Sequence, residues 1–347
     1  MEMEQLLELS IKQNASDLHL SPGLPPILRI NGDLTNITDM PPLDAEMTKN
    51  LIYTVMDKNQ QQEFEKALEL DFGIMIPNVA SFRVNAFHQM RGIAAVFRVI
   101  PDKAPTLDDL GMPPVFKQLL DLPNGLILVT GPTGSGKSTT LAAMVDYINI
   151  HQACHIITIE DPIEFTHTSK KSLINQRQIH RDTHDFAAAL RSSLREDPDV
   201  ILVGEMRDLE TIRLALTAAE TGHLVMATLH TSSAPRTISR IVDVFPSGEK
   251  NIIRNMLSES LQAVICQTLL KKTTGGRAAA LEIMLGSTAI RNLIREDKIA
   301  QMSTSIQTSG DTGMCTLDQH LQELVSKQII SPDTAKEVAI NKELFNG

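Results

Sequence analysis

Aromatic residues are scarce in this 347-residue chain, which has no Trp, 2 Tyr and 10 Phe, or 3% aromatics in all. Proteins that bind unpaired nucleic-acid bases stack them on aromatic side chains, and this chain offers few. Lys and Arg total 32 against 42 Asp and Glu, and the resulting net charge of −10 disfavours broad contact with a phosphate backbone. We therefore expect no direct nucleic-acid partner, although the composition still allows a local basic patch.

Cysteines are also few, since only Cys154, Cys266 and Cys315 occur and none forms a CxxC pair. This spacing supports neither a zinc ribbon nor a disulfide framework, and it predicts reduced thiols in a cytoplasmic protein. The amino terminus, MEMEQLLELSIKQ, carries acidic residues where a secretory signal would carry Lys or Arg. No run approaches the roughly 18 to 20 apolar residues of a membrane span, so we expect membrane association only through a partner.

The length divided by roughly 150 residues per domain predicts two domains. Residues 1–100 begin with an amphipathic helix, show alternating strand patterns with an Asn31-Gly32 turn signal, and look helical over residues 44–66. Clustered proline and glycine then indicate a linker at residues 101–113. The first domain is therefore a small α+β unit, and residues 114–347 form the second.

Short apolar runs alternate with helical patterns in the second domain, as is typical of a parallel sheet covered by helices on both faces. From about Ser247 the pattern is mostly helical, and we predict helices over residues 252–270 and 317–330. The predicted fold class is thus α/β with a helical carboxy-terminal part. The predicted strands span residues 125–130, 155–160, 199–204 and 223–230.

The first apolar run leads directly into GPTGSGKST, which matches the phosphate-binding pattern GxxxxGK[ST]. Its glycines let backbone N–H groups turn towards phosphate oxygens, and the helix that follows points its positive dipole end at them. In this pattern Lys137 reaches the β and γ phosphates, and the Ser138 hydroxyl ligates Mg²⁺. The sequence therefore predicts a nucleotide site formed by Gly131, Pro132, Thr133, Gly134, Ser135, Gly136, Lys137, Ser138 and Thr139.

Two of the predicted strands end in carboxylates. Glu160, Asp161 and Glu164 follow one strand, and Glu205 follows the next. Because the carboxyl ends of parallel strands meet at one edge of a sheet, these acids are candidates to hold Mg²⁺ or to orient the attacking water. Gly204 stands where typical hydrolases have an Asp, so Glu205 acts alone or together with the first cluster. Taken without the phosphate loop, that cluster would be an ordinary solvated turn.

Histidines stand at both ends of the last predicted strand, His223 at its start and His230 at its end. Each is either an ordinary core or edge histidine or a polar group that senses the γ-phosphate. Arg191 and Arg195 lie on the outward face of a predicted helix between two strands. We interpret them as surface charges, with a contact to a neighbouring subunit as the alternative.

Five segments of the chain together resemble the hallmark boxes of the secretion and type IV pilus ATPase superfamily, in family order and over essentially the whole chain. A sixth, AIRNLIRE at residues 289–296, resembles the carboxy-terminal motif of the pilus retraction ATPases. The chain lacks the greater length and the four-cysteine zinc insertion of the extension ATPases. The five boxes are ASDLHL, GPTGSGKST, IEDPIEF, DPDVILVGEMRD and TGHLVMATLHT.

The resemblance implies a PAS-like first domain, a RecA-like second domain, a hexameric ring and ATP bound at the domain junction. Arginines of the first domain reach the phosphates in this family, and Arg83 and Arg98 are carried over for that role ahead of Arg91. The implied catalytic set is Glu205, Glu164, Arg83, Arg98 and His230. The implied magnesium ligands are Ser138, Glu160 and Asp161.

The function implied by the resemblance is a cytoplasmic motor that hydrolyses ATP, with Mg²⁺, to drive type IV pilus retraction and twitching motility. It would act on an inner-membrane platform protein, alongside an accessory retraction ATPase. AIRNLIRE would couple hydrolysis to retraction, although an amphipathic packing helix also explains its pattern. The alternatives are an extension or secretion ATPase, an accessory nucleotide-binding subunit and, less favoured, a small-molecule P-loop kinase.

Overall fold

A computed structural model describes residues 2–30, 32–37, 40–77, 79–101 and 103–346. The chain divides into two compact units, Met1–Lys103 with Glu164–Thr166, and Ala104–Ile163 with His167–Gly347. Within the segment predicted as a linker, Leu107 and Met112 are buried in the core of the second unit. Asn31 of the predicted turn lies outside the described residues.

The first unit is an antiparallel sheet with three helices. Its six strands lie in the order β3-β2-β1-β6-β5-β4, and every neighbouring pair is antiparallel. This arrangement confirms the predicted α+β first part of the fold. The elements are α1 Met3–Lys12, β1 Asp17–Leu20, β2 Ile27–Ile30, β3 Asp33–Asn36, α2 Ala45–Tyr53, α3 Lys58–Ala67, β4 Glu69–Ile76, β5 Ala80–Gln89 and β6 Gly92–Ile100.

The helical stretch predicted over residues 44–66 is two helices rather than one. Asp57 stops a continuous helix because it caps a new one, with its side chain accepting hydrogen bonds from the backbone N–H groups of Asn59 and Gln60. The predicted first helix is confirmed, and it buries Leu6 and Leu7 in the core of the unit.

The second unit is built on a seven-stranded sheet in the order β13-β12-β7-β11-β10-β8-β9. All neighbours are parallel except β12 and β13, and the four predicted strands, β7, β8, β10 and β11, are confirmed. The elements are α4 Val115–Leu120, β7 Gly125–Thr130, α5 Lys137–His151, β8 His155–Glu160, β9 Leu173–Gln178, α6 Phe186–Ser193, β10 Val200–Val203, α7 Leu209–Glu220, β11 Leu224–Leu229, α8 Ala234–Asp243, α9 Lys250–Ser260, β12 Leu261–Lys271, β13 Arg277–Leu285, α10 Thr288–Arg295, α11 Met302–Thr308, α12 Leu317–Ser326 and α13 Pro332–Val338.

Strand β7 shows why these short runs are apolar throughout. Leu126 and Leu128 pack into the core on one face of the sheet, whereas Ile127 and Val129 pack into the core on the other. A strand covered by helices on both faces needs apolar side chains at every position, because alternate residues point to opposite faces.

The helix predicted over residues 252–270 is wrong beyond Ser260. Helix α9 ends there, and β12 follows at once, parallel to β7 on one side and antiparallel to β13 on the other. These two ladders supply the backbone hydrogen bonds that a longer helix would have made internally. The helix predicted over residues 317–330 ends at Ser326, and Gln328 beyond it has a positive φ of 58°.

Across the described ranges, no helix combines the length and the apolar character that a membrane crossing requires.

Candidate functional site

The predicted phosphate loop forms the turn between β7 and α5. Gly131, Gly134 and Gly136 have φ values of 143°, 78° and 87°, which lie in the region that favours glycine. The Lys137 ammonium donates to the backbone carbonyls of Gly131 and Pro132, at 2.9 and 3.0 Å. The lysine therefore lies over the loop and not out in solvent. Pro132, Thr133 and Gly134 are exposed, whereas Gly136, Lys137, Ser138 and Thr139 are half-buried.

The loop lies against β12 so tightly that two of its glycines have no room for a side chain. A Cβ atom at Gly131 would come within 2.2 Å of the Gln267 carbonyl oxygen, and one at Gly136 within 2.9 Å of the Gln267 side-chain nitrogen. The Ser135 hydroxyl is buried and has no hydrogen-bond partner among the described residues. A tight glycine cradle with an unsatisfied hydroxyl fits a phosphate group, which offers acceptor oxygens.

Three of the predicted acids, Glu160, Asp161 and Glu205, follow or end strands at the same sheet edge as this loop, as does His230. Strands β7, β11, β10 and β8 are adjacent and parallel, so their carboxyl ends meet there. The phosphate loop, His230, Glu205 and Glu160 follow or end these strands. The topology therefore groups them as predicted.

Glu205 is the most constrained carboxylate at this edge. One of its oxygens lies 2.7 Å from the Arg207 guanidinium, and the other lies 3.4 Å from Nε2 of His230. Burial on its own would raise the pKa of Glu205, but the hydrogen bonds and charges of Arg207 and then His230 outweigh it and hold that pKa below its ordinary value. The Glu205 side chain is 18% exposed, so a water molecule can still reach a carboxylate that stays ionised.

Gly204, which replaces the usual Asp, is explained by the close approach of β10 to β8. A Cβ atom at this position would lie 3.1 Å from the Ile159 carbonyl oxygen and 3.3 Å from Cα of Glu160. The Thr228 hydroxyl on β11 donates to the Gly204 carbonyl, and Met206 N–H donates to the Thr228 carbonyl at 3.1 Å. Gly204 is thus packed between two neighbouring strands, and this packing fixes the backbone position of Glu205.

The acids predicted to assist the metal are arranged differently from one another. Glu160 ends β8, where the Thr158 hydroxyl and the Gln176 amide donate to one of its oxygens at 2.6 and 3.1 Å. Asp161 is exposed, and its charge contributes to the raised pKa of Arg207, after the larger contributions of Glu205. Within the described parts of the chain, no group of three His, Cys, Asp or Glu side chains converges to hold a metal ion.

Arg83 and Arg98 belong to the first unit and stand opposite each other on β5 and β6. The Arg83 Nε lies 3.0 Å from both carboxylate oxygens of Asp71, and the Arg98 Nε donates to Asp17 at 2.8 Å. Burial raises the pKa of Asp17, but the hydrogen bonds from Ser16 and Arg98 and the Arg98 charge hold it below its ordinary value. Both arginines are therefore held by carboxylates within their own sheet.

The remaining predicted residues are not part of this cluster. Glu164 is exposed and falls with the first unit. His223 immediately precedes β11, at the opposite end of that strand from His230, and its ring lies 3.0 Å from the Ala218 carbonyl. Arg191 pairs with Glu210, and Arg195 donates to the Arg191 carbonyl at 3.1 Å, as expected of surface charges.

Two residues of this region are not predicted from the sequence. Arg207, which pairs with Glu205, stands two positions after it in GEMRD, and an arginine so close to a strand-end carboxylate is a usable signal. Gln267, which packs on the phosphate loop, lies about 130 positions away in a segment predicted to be helical. No local pattern identifies it.

Comparisons with known proteins agree with this geometry. Residues 2–336 match the family described as Type II/IV secretion system protein. The chain is 63% identical over 345 residues to the type IV pilus retraction ATPase PilT of Pseudomonas aeruginosa, covering 99% of this chain and 100% of that one. It is 57% identical over 319 residues to a twitching motility protein of Neisseria gonorrhoeae, covering 92% and 85%. A crystal structure of the pilus retraction motor PilT with bound ADP superposes with a TM-score of 0.93 at 46% identity, covering 99% and 98%.

Proposed function

The chain belongs to the family of type II/IV secretion system proteins, and from that premise we propose that it is an ATPase that drives retraction of type IV pili. The observation that carries the proposal is the sheet edge of the second unit, where a phosphate loop adjoins an ionised carboxylate paired with a histidine. The near full-length similarity to a retraction ATPase and to a twitching motility protein supports retraction, and not extension, of the pilus.

The phosphate loop binds the triphosphate of ATP in this proposal. On binding, the Lys137 ammonium would leave the Gly131 and Pro132 carbonyls and donate to the β and γ phosphates instead. The phosphates carry full negative charges, whereas the carbonyl oxygens carry only partial ones. The loop N–H groups and the amino-terminal end of α5 add donors and a positive dipole. Ser135 and the glycine cradle fit such a ligand, and the similar PilT crystal structure holds bound ADP.

Magnesium is the metal that this site fits. The Ser138 hydroxyl lies in the first turn of α5, next to Lys137, and Glu160 and Asp161 would add oxygen ligands or hold water at the end of β8, on the same edge of the sheet. When bound, Mg²⁺ would neutralise charge on the β and γ phosphates. A metal held mainly through the nucleotide and water needs few ligands from the protein itself.

Glu205 orients the attacking water. Its ionised carboxylate accepts a hydrogen bond from the water and draws it towards the γ phosphorus, and the proton leaves on the phosphate product. Arg207 keeps Glu205 ionised, and His230 holds the second carboxylate oxygen and links it to the end of β11. Loss of the γ phosphate would change this hydrogen-bonded group and start the movement that does work.

Arg83, Arg98 and Glu164 stay proposals that rest on the resemblance. To bind phosphate, Arg83 would have to break or share its bonds to Asp71, and Arg98 would have to break or share its bond to Asp17. Until then, each carboxylate would keep its arginine in one orientation. An arginine acting on the transferred phosphoryl group adds on the order of 10³ to 10⁵ in rate.

The assembly that we propose is a homohexamer in the cytoplasm, at the inner face of the inner membrane. It would reach the membrane through a platform protein and could work beside an accessory retraction ATPase. An accessory subunit without productive hydrolysis is the second candidate, but the intact Lys137 and the ionised Glu205 favour an active enzyme.

The experiment that tests hydrolysis is Glu205→Gln, measured with purified protein for ATP binding and for single-turnover hydrolysis. We expect ATP binding close to that of wild type and hydrolysis slowed by roughly 10² or more. The reason is that a neutral amide oxygen is a weaker hydrogen-bond acceptor for the attacking water than an ionised carboxylate. Glu210→Gln, an exposed glutamate on α7, is the matched control. Wild-type turnover in the Glu205 variant would contradict the proposal.

The direction of the motor needs a second test in cells. A deletion strain should accumulate unretracted pili and lose twitching motility, and Glu205→Gln should not restore either. Loss of pili in the deletion strain would show that the chain drives extension.

A further inference from the structure

Two glutamines of β12 contact the two ends of β7. Gln262 donates from its side-chain amide to the Asn124 carbonyl at 3.1 Å, just before β7 begins. Gln267 contacts the phosphate loop that follows the end of β7, and it is 2% exposed. A Cβ atom at Gly125 would meet the Gln262 side chain, and one at Gly131 would meet the Gln267 backbone carbonyl. The pair therefore offers the same residue type at the two ends of β7, with Gln262 half-buried and only Gln267 in contact with the phosphate loop.

The Gln267 side chain bridges the loop and the helix that follows it. Its Nε2 donates to the Ser135 carbonyl at 2.8 Å, and its Oε1 accepts from the Thr140 hydroxyl at 2.8 Å. Ser135 precedes Lys137 in the chain and Thr140 follows it, so one amide is hydrogen-bonded to the chain on both sides of Lys137. All three side chains are buried, which makes each of these hydrogen bonds costly to lose.

Holding the Ser135 carbonyl also sets the direction of the next N–H group. In a planar trans peptide the C=O and the following N–H point in opposite directions. Because the Ser135 carbonyl points at the Gln267 side chain, the Gly136 N–H points away from that side chain and from the contact with β12. Backbone N–H groups are the donors with which such a loop binds phosphate.

We propose that Gln267 is a positioning residue for nucleotide binding: its amide fixes the peptide between Ser135 and Gly136 so that the Gly136 N–H faces the phosphates. The inference rests on the proposed nucleotide site. An amide is needed because it donates to Ser135 and accepts from Thr140 at the same time. Glutamate would keep only the acceptor, and methionine, of similar length, would keep neither.

The test compares Gln267→Met with Gln262→Met in the full-length protein. The readouts are the dissociation constant for a fluorescent ADP analogue, KM and kcat for ATP, and the melting temperature without nucleotide. We expect Gln267→Met to weaken ADP binding about tenfold and to raise KM, whereas Gln262→Met should stay within about twofold of wild type. Gln267→Met should lower the melting temperature more than Gln262→Met, because Gln267 is buried and makes two hydrogen bonds, so ADP binding is compared at a temperature at which both variants are fully folded.

Two milder variants keep the inference testable if Gln267→Met folds poorly. Gln267→Asn keeps an uncharged amide that is too short to bridge both partners, and Thr140→Val removes only the bond to α5, so the first should weaken ADP binding more than the second. Unchanged ADP binding in both Gln267 variants, or equal loss in Gln262→Met, would overturn the positioning role. If wild type itself fails to bind ADP, the proposed function fails first and the inference with it.

Discussion

Glu205 illustrates how single residues are tuned at the candidate site. A carboxylate that is mostly buried would ordinarily be harder to ionise, but Arg207 and His230 reverse that tendency. The direction matters because an orienting carboxylate must be ionised at neutral pH. Arg207 is consequently an electrostatic support for Glu205, and not only a surface arginine.

The first prediction concerns Arg207→Ala. Because Arg207 lowers the pKa of Glu205, its removal should raise that pKa, and the acidic limb of the pH–rate profile should move to higher pH. Activity at mildly acidic pH should fall more than activity at pH 8. The measurement is kcat/KM for ATP between pH 5 and 9, in wild type and variant.

Arg177→Ala is the control for this prediction, because Arg177 is paired with a different glutamate, Glu196, and is not among the groups that lower the pKa of Glu205. Its acidic limb should match that of wild type. An unshifted acidic limb in Arg207→Ala would show that the ionisation of Glu205 does not govern the rate.

Sequence analysis identifies the functional residues whose roles can be recognised from the residues next to them in the chain. The phosphate loop and Glu205 follow directly from strands that are recognisable by their apolar runs. Gln267 is not predicted, because its partners lie about 130 positions away and only the fold brings them to it, whereas Arg207 stands two positions from Glu205 and carries a signal that the sequence analysis did not use. Gln267 in particular is one of several polar residues in the β12 sequence LQAVICQTLLK, and nothing in that sequence distinguishes it from Gln262.

At the level of elements, prediction succeeds where a strand is short, apolar and bounded by turns, as for β7 and β10. It fails for β12, since the apolar stretch from Leu261 runs on from α9 without a glycine or proline between them. An apolar run of that length is compatible with a buried helix or a buried strand. Only pairing with β7 and β13, which is a tertiary property, decides between them.

Helix α10 carries most of the AIRNLIRE motif and is held in place by more than its apolar face. Ile290 and Ile294 are buried, Leu293 packs partly against the same core, and Ala289 is exposed. The Arg291 guanidinium donates to the Gly286 carbonyl at 2.7 Å and to the Ser258 carbonyl at 2.6 Å. The helix is thereby attached to the end of α9, just where β12 begins.

The second prediction concerns the packing of α10. Ile294→Ala should lower the free energy of unfolding by about 2–5 kcal/mol, because it leaves a cavity in the core. Leu293→Ala, on the same helix but only partly buried, should cost less. Denaturant unfolding followed by circular dichroism measures both.

This difference decides which variant can test coupling to retraction. A double change of Leu293 and Ile294 would confuse loss of folding with loss of function. Leu293→Ala should keep ATPase activity, and loss of retraction in that variant would support a coupling role. If Ile294→Ala proves as stable as wild type, the packing account of α10 is wrong.

At the level of the whole molecule, the chain consists of two units with separate cores. The described contacts of the phosphate loop and of Glu205 all come from the second unit, whereas Arg83 and Arg98 belong to the first. The contacts described for the candidate phosphate loop therefore lie within one unit.

The third prediction follows from this division. A fragment of residues 104–347 should still bind ADP, about 10- to 100-fold more weakly than the full chain if one arginine contact is lost, because a contact to a charged group is worth roughly 1.5–3 kcal/mol. Its ATP hydrolysis should be much slower if Arg83 or Arg98 acts on the phosphates. Isothermal titration and a phosphate-release assay measure the two effects.

The full chain with Arg83→Ala and Arg98→Ala is the matched control, since it keeps both units and removes only the charges. It should share the slow hydrolysis of the fragment. A well-folded fragment that binds no ADP would show that the cradle needs the first unit.

Strand β12 also limits how this protein can change over evolutionary time. Gln262 and Gln267 contact opposite ends of β7, so the number of residues between them has to match the length of that strand. Substitutions along this stretch can be absorbed one side chain at a time. A single inserted or deleted residue would move one glutamine off its end of β7 and turn the side chains beyond it to the other face of the sheet. Selection should therefore act more strongly on the length of this stretch than on its composition.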